Sequence, residues 1–423
     1  MQIGWVDFSK TERDKVVSIL RLLGTQTALD ELGIGTVRDA FSDMFFPGIS
    51  TLQTRAKYFV ILPYLFAQAE NHRFKHRRDV LAYIHNEEFT LVKTLVKNSG
   101  PEAYGIVGSR NMEKMVKMKP SSIYWNGLRT VGILRYPNIS LDEACEIVLR
   151  NERIKREVTL KTESADEAAD DTDALAGKTV LFSPIVPDYD VQKDATIELT
   201  KKEAQYLYDH FLDSPATCNS LTAYMLREKI RFPSFWEIPY ATVPSDISDA
   251  VHLAQEFAEF IYGAHLLYNI IYADGCGIHD DEVEAIRAEF KGYCDHYHPI
   301  HLEDVLAISK CPPMTSQFLR AFDTALQEGD IDAARDLLIR RERLVKQNRA
   351  KLNNPKSYRF ERPIHYYKLD YRFGTASTII NDILTGLEAL AWQGDNLTPK
   401  KTDWTTAKCS ARLRDMIWNS LWE

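Results

Sequence analysis

The strongest constraint on the fold is the run Tyr58-Phe59-Val60-Ile61-Leu62-Pro63-Tyr64-Leu65-Phe66-Ala67, which contains no charge and no glycine. It is about half a bilayer span and Pro63 interrupts it, so it reads as a buried helix and not as a membrane segment. A helix that is apolar all round must be enclosed by protein. Pro47-Gly48 breaks the chain ahead of it, and Ser50 followed by Gln53 has the spacing of a capping box. The expectation is a helix beginning at Ser50, with Thr51, Gln53, Arg55 and Lys57 along its polar start. Such a start can hold an anion, because its first N–H groups lack partners within the helix.

The whole chain, at 423 residues, is long enough for two or three domains. A net charge of −8 argues against a protein that coats nucleic acid as a polycation, and leaves room for a local basic face. The first residues show no basic stretch followed by an apolar run, as a signal peptide would. Cys145, Cys218, Cys276, Cys294, Cys311 and Cys409 are dispersed without a CxxC pair, which suits reduced thiols. The expected setting is cytoplasmic, away from membranes.

Helical spacing dominates the pattern. Val80, Leu81, Ile84, Leu91 and Leu95 predict a helix over 78–96, and Ser140 with Glu143 caps another. Helices are also expected near 9–23, 36–45, 200–212, 220–227, 248–272, 280–293, 316–326, 331–351, 377–391 and 409–421. The acidic stretch 163–173 has no large apolar residue and reads as a linker or loop. The expected fold is mostly α with few short strands. It comprises an N-terminal helical domain (1–160), an acidic linker (161–178) and a C-terminal helical domain (179–423).

Two stretches suit binding. Within 79–155, a short helix over 112–118, a turn at Lys119-Pro120, a second helix and a strand at 132–135 would follow the order of a winged helix. Ser122, Trp125, Asn126 and Arg129 would then form its outward face, with Lys114, Lys117 and Lys119 as phosphate contacts. An ordinary helical hairpin with a solvated basic face fits the same pattern. The second stretch contains Arg340, Arg341 and Arg343, with Tyr358 and Phe360 further on, and suits backbone tracking with base stacking. A plain charged helix fits it equally well.

Catalytic signals are weak. His296, His298 and His301 are poorly spaced for zinc, and residues 273–283 lack the first carboxylate and the bidentate glutamate of a calcium loop. Asp274 with Glu289-Phe290-Lys291 matches a loose nuclease spacing, but in helical surroundings. Gly177-Lys178-Thr179 is not a phosphate loop. No catalytic residue, metal ligand or cofactor site is assigned.

Gly4-Trp5-Val6-Asp7-Phe8-Ser9, the block 46–59, Pro120-Ser121-Ser122-Ile123-Tyr124-Trp125-Asn126-Gly127-Leu128 and Asn381-Asp382-Ile383-Leu384-Thr385-Gly386-Leu387 resemble one family. It is a bacterial family of unknown function with a GWxDFS start and an FPGxSTxQTRAxYF block. The resemblance implies a link to anti-phage defence gene clusters and carries no established catalytic residues. The resulting expectation is a non-catalytic accessory subunit of a bacterial defence complex, binding DNA or a helicase or nuclease partner from the same operon. The alternatives are a metal-dependent nuclease using carboxylates between Asp274 and Glu289, and a protein-only scaffold.

Overall fold

Fourteen α-helices and three short 3-10 helices make up the regular structure of the described residues. The computed structural model describes residues 32–100, 103–164, 179–185, 187–239, 243–355 and 368–387. Before the acidic segment come α1 (Gly35–Phe45), α2 (Tyr58–Ala69), α3 (Arg77–Ser99), α4 (Pro120–Thr130) and α5 (Leu141–Ser164). After it come α6 (Val191–Asp194), α7 (Lys201–Asp213), α8 (Leu221–Glu228), α9 (Ser245–Cys276) and α10 (Asp281–Asp295). The chain continues with α11 (Leu302–Ser309), α12 (Pro313–Gln327), α13 (Ile331–Lys346) and α14 (Phe373–Gly386).

The apolar run becomes α2, and its composition dictates its place. Nine of its 12 residues are buried, and α3, α4 and α5 enclose it. Pro63 lies inside this helix and withholds one N–H from it, a loss tolerated amid dense packing. Helix α9, 32 residues long, packs on α1, α10, α11 and α13. Its Val251, Ala254, Phe257, Ile261, Ala264 and Leu267 are buried on several sides of the helix. Helix α14 lies on α7 and α8. A continuous cluster of buried side chains includes Leu32, the first of the described residues, and Leu384, close to the last of them. No helix among the described residues is long and apolar enough to cross a membrane.

Local signals fix many of the helix starts. Ser140 and Glu143 form the reciprocal capping bonds, with Ser140 N donating to Glu143 Oε2 at 2.6 Å. Thr200 with Glu203 caps α7, and the side chains of Ser220, Asp280 and Asp330 accept from N3 amides of α8, α10 and α13. Helix α11 escaped the sequence reading. It is eight residues long, which gives its apolar spacing little room to repeat.

Three expectations need correction. The described residues contain no strand. Their β pairing is one isolated antiparallel bridge, Leu134 to Phe182, which also ties the two sides of the acidic segment together. The short helix expected over 112–118 is a series of turns and bends, so the order required for a winged helix is not present. Met112 and Met115 are exposed there, and a short segment with no buried face gains too little to repay helix nucleation. Finally, Ser50 does not start a helix; α2 begins eight residues later, at Tyr58. The acidic stretch is helical up to Ser164, and its residues 165–178 lie outside the described residues, as do the helices expected at 9–23 and 409–421.

Candidate functional site

The Ser50–Gln53 pair closes a turn. Gln53 N donates to Ser50 O at 3.1 Å, Ser50 N donates to Gln53 Oε1 at 3.3 Å, and Gln53 Nε2 reaches Gly48 O. Beyond the turn the chain runs without regular structure to α2, and its two cations point inward. Arg55 Nε donates to both carboxylate oxygens of Asp382 on α14, at 3.0 and 2.9 Å. The same carboxylate accepts from Ala56 N at 2.8 Å. The anion expected near this helix start is therefore supplied by the chain itself. Lys57 is fully buried and donates to Glu203 Oε2 at 2.7 Å and to Glu198 O at 3.0 Å. Glu203 also accepts from Tyr189 Oη at 2.5 Å.

Burial disfavours charge at both pairs. It pushes the Asp382 carboxyl above its ordinary value while Arg55 pulls it back. It lowers the Lys57 ammonium against the pull of Glu203 and Glu198. Both ion pairs join the start of α2 to helices well over a hundred residues away.

The same stretch also fixes the base of the segment between α3 and α4. Thr54 Oγ1 donates to Gly105 O at 2.6 Å, and Arg55 Nη1 to Tyr104 O at 3.1 Å. Val107 N donates to Tyr58 Oη at 2.8 Å. The Arg55 guanidinium lies 4.8 Å from the centre of the Tyr104 ring. Gly105 has φ +78°, and a Cβ there would sit 2.7 Å from Arg55 Cγ, so both its conformation and its space require glycine. Tyr124 Oη of α4 accepts from Thr54 N and Arg55 N and donates to Arg55 O. Three blocks quoted from the sequence, 46–59, 120–128 and 381–387, thus meet at one place.

Past this base the segment faces outward. Residues 103–119 carry Arg110, Lys114, Lys117 and Lys119 against the single carboxylate Glu113. Tyr104, Met112 and Met115 are exposed large side chains within it, and Arg110, Lys114 and Lys117 are exposed as well. The outward face expected on α4 divides. Ser122 and Asn126 are exposed. Trp125 is buried between Phe66 and Phe182, and its Nε1 donates to Ile139 O, which also accepts from Arg129 Nη2. Of the turn residues, Ser50 is half-buried, Thr51 exposed and Gln53 buried.

The cations of α13 divide in the same way. Arg341 is buried, donating to Leu32 O, Gly33 O and Thr315 Oγ1 and lying over the Phe318 ring. Arg340 is exposed and pairs with Asp336 one turn away, while Arg343 is exposed and donates to Asn353 Oδ1. The carboxylates expected of a nuclease are engaged elsewhere: Asp274 by Arg287 and Arg335, and Glu289 by Tyr262 Oη at 2.6 Å. Among the described residues, no three of His, Cys, Asp and Glu gather to hold a metal ion.

One site residue escaped the sequence reading. Glu88 lies on the buried stripe of α3 with Val80, Ile84, Leu91 and Leu95. Its Oε1 accepts from Ser121 N at 2.5 Å, and its Oε2 has no partner. Burial pushes this carboxyl up to about 7, against the pull of the Ser121 amide and of Lys119. His85, one turn earlier, is pushed down to about 4 by burial and by Lys119, and its Nε2 has no partner either. Both line a shallow recess with Lys114, Lys119 and Val116 from the segment above. A carboxylate on an otherwise apolar helical stripe was the readable signal.

No curated protein and no solved structure matches the chain. The model of a family of unknown function, DUF6361, matches residues 1–281 of the 423, and the chain belongs to that family.

Proposed function

We propose that this protein is a non-catalytic binding subunit whose segment 103–119, with Ser122 and Asn126 of α4, engages nucleic acid. The observation that carries this reading is an outward-facing segment with three exposed cations, Arg110, Lys114 and Lys117, against one carboxylate, set on a tightly bonded base in a chain of net charge −8. Lysine and arginine neutralise phosphates without regard to sequence, and an exposed tyrosine such as Tyr104 offers a stacking surface for a base. Arg340 and Arg343 are exposed and extend the candidate set; Arg55, Lys57 and Arg341 are engaged within the fold. The setting in an anti-phage defence complex rests on the family resemblance.

A second reading is favoured by Met112 and Met115. Exposed methionines suit an adaptable contact with a partner protein, such as a helicase or nuclease subunit. Salt dependence separates the two. Binding of labelled single-stranded or duplex DNA is expected to weaken as salt rises, and the double variant Lys114→Glu/Lys117→Glu is expected to bind more weakly with a shallower slope. DNA affinity unchanged in that variant would remove the nucleic-acid reading of this segment.

A further inference from the structure

The loop between α2 and α3 holds positive charge that the fold does not use. Residues 71–78 include Arg73, Lys75, Arg77 and Arg78, with His72 and His76, and contain no carboxylate. All of them except Phe74 are exposed. Phe74 packs against the Tyr83 ring of α3 at 5.6 Å, and His72 lies 4.6 Å from the same ring. Both ends of the loop are tied to α5, where Lys155 Nζ donates to Asn71 Oδ1 and Asp142 pairs with Arg77 at 3.1 Å. The flanking carboxylates are engaged: Glu70 accepts from Asn151 Nδ2, and Asp79 accepts from His76 N. Arg78 lies 3.7 Å from Asp79 with most of its side chain in solvent. Arg73 and Lys75 are exposed and pair with no carboxylate among the described residues.

Helix α3 relates this loop to the basic segment. Arg78 and His85 are seven residues apart on it, hence on one face and about 10 Å apart along the axis. His85 lines the recess that Lys114 and Lys119 border. The two basic stretches therefore lie along one side of α3. We propose that loop 71–78 is a second phosphate-contact patch, and that one nucleic-acid backbone runs along α3 from it to segment 103–119. The shared path rests on the nucleic-acid reading of that segment. A duplex carries a charge every 3.4 Å along each strand, so a run of about 10 Å covers roughly three phosphates. A continuous polyanion thus matches two groups of cations set two helical turns apart. The loop presents no exposed large apolar side chain to enter a lipid surface, because Phe74 is turned against Tyr83. Its ends are fixed while Arg73 and Lys75 stay uncommitted, which suits contacts that position a backbone without reading sequence.

The test is binding of labelled duplex DNA, long enough to span both stretches, to the full chain over a range of salt. Arg73→Gln/Lys75→Gln should weaken binding about tenfold at low salt and reduce the slope of log affinity against log salt by about 2. Thermal stability should be unchanged in this variant, since neither side chain has an ion-pair partner in the fold. Lys114→Glu/Lys117→Glu should weaken binding on its own, and the four-site variant should combine both slope changes. One duplex should bind per chain. A loop variant with the parent's affinity and slope overturns the proposal, and a weakened Lys114→Glu/Lys117→Glu beside it leaves the segment reading standing. A weakened loop variant beside an unaffected segment variant removes the segment reading and overturns the shared path, as do two duplexes bound per chain. Binding to phosphatidylserine vesicles that the loop variant loses, with no duplex bound at low salt, would assign the patch to a membrane surface and overturn the nucleic-acid path.

Discussion

Two clusters of cations lie within about sixty residues of each other and have opposite fates. Arg55 and Lys57 are drawn into the protein by Asp382 and Glu203 and hold distant helices together. Arg110, Lys114 and Lys117 face outward from a segment without regular structure. The difference lies in what surrounds each charge. The first pair precedes a helix buried on nearly every side, so its charges must find carboxylates or be lost to desolvation. The second group has too few apolar neighbours to be buried. Cations that look alike in sequence therefore divide into structural and available ones, and the inward pair fixes the base from which the outward group projects.

The sharpest way to break this comparison is to remove one inward charge. Lys57→Met leaves Glu203 buried beside Tyr189 and should lower unfolding stability by about 3–5 kcal/mol in a denaturant titration. Arg55→Met should act similarly and also weaken the hold on Tyr104, seen as faster amide exchange over 103–107. The double variant Arg55→Met/Asp382→Leu should recover much of that loss, since a buried pair can be exchanged for apolar groups at little net cost. If Lys57→Met is as stable as the parent, the inward cluster does not have the role assigned to it.

This division also explains what the sequence made legible. Helix positions followed from apolar spacing and from caps such as Ser140–Glu143, which are local. The burial of Arg55 was not legible, because its partner lies 327 residues along the chain and no local pattern announces it. The capping-box reading of Ser50 and Gln53 failed for a related reason: the two side chains have the right spacing, but Asp382, Glu203 and Tyr124 fix the following residues in a non-helical path. Arg340 and Arg341 are neighbours with different roles, because adjacent positions on a helix point to different faces. Glu88 was legible in principle and was masked by the apolar residues around it.

Glu88 supplies the next effect in size. Its pKa rises from about 4.5 unfolded to about 7 folded, so between these values the folded state holds the extra proton. Stability from this group is present at low pH and is lost as pH rises through that window, by about 3 kcal/mol. His85 opposes it: its folded pKa is depressed to about 4, so its contribution is lost as pH falls from about 6.5. The two slopes overlap and partly cancel between about 4.5 and 6.5, which makes the parent profile alone uninformative. The difference between parent and Glu88→Gln isolates the acid, and it should favour the parent progressively as pH is lowered. A difference that is flat from pH 4.5 to 7 would mean the carboxyl is not buried as described. Smaller again, Gly105→Ala must adopt φ +78° and displace Arg55 Cγ, and about 1–3 kcal/mol of lost stability is expected.

The smallest effect is the most direct test of whether neighbouring cations differ in kind. Arg340 and Arg341 share a helix and a charge, yet Arg341 threads between four acceptors and an aromatic ring while Arg340 pairs with an exposed carboxylate one turn away. Replacing Arg341 with methionine leaves the Leu32 and Gly33 carbonyls without their donor, and should cost about 1–3 kcal/mol. Replacing Arg340 with glutamine should change stability by no more than about 0.5 kcal/mol, because an exposed i,i+4 pair contributes little. Arg340 would then show itself only in binding, as a modest weakening that added salt abolishes. Equal stability losses at the two positions would mean that burial does not separate structural from available cations on α13, and the same doubt would reach Lys114 and Lys117.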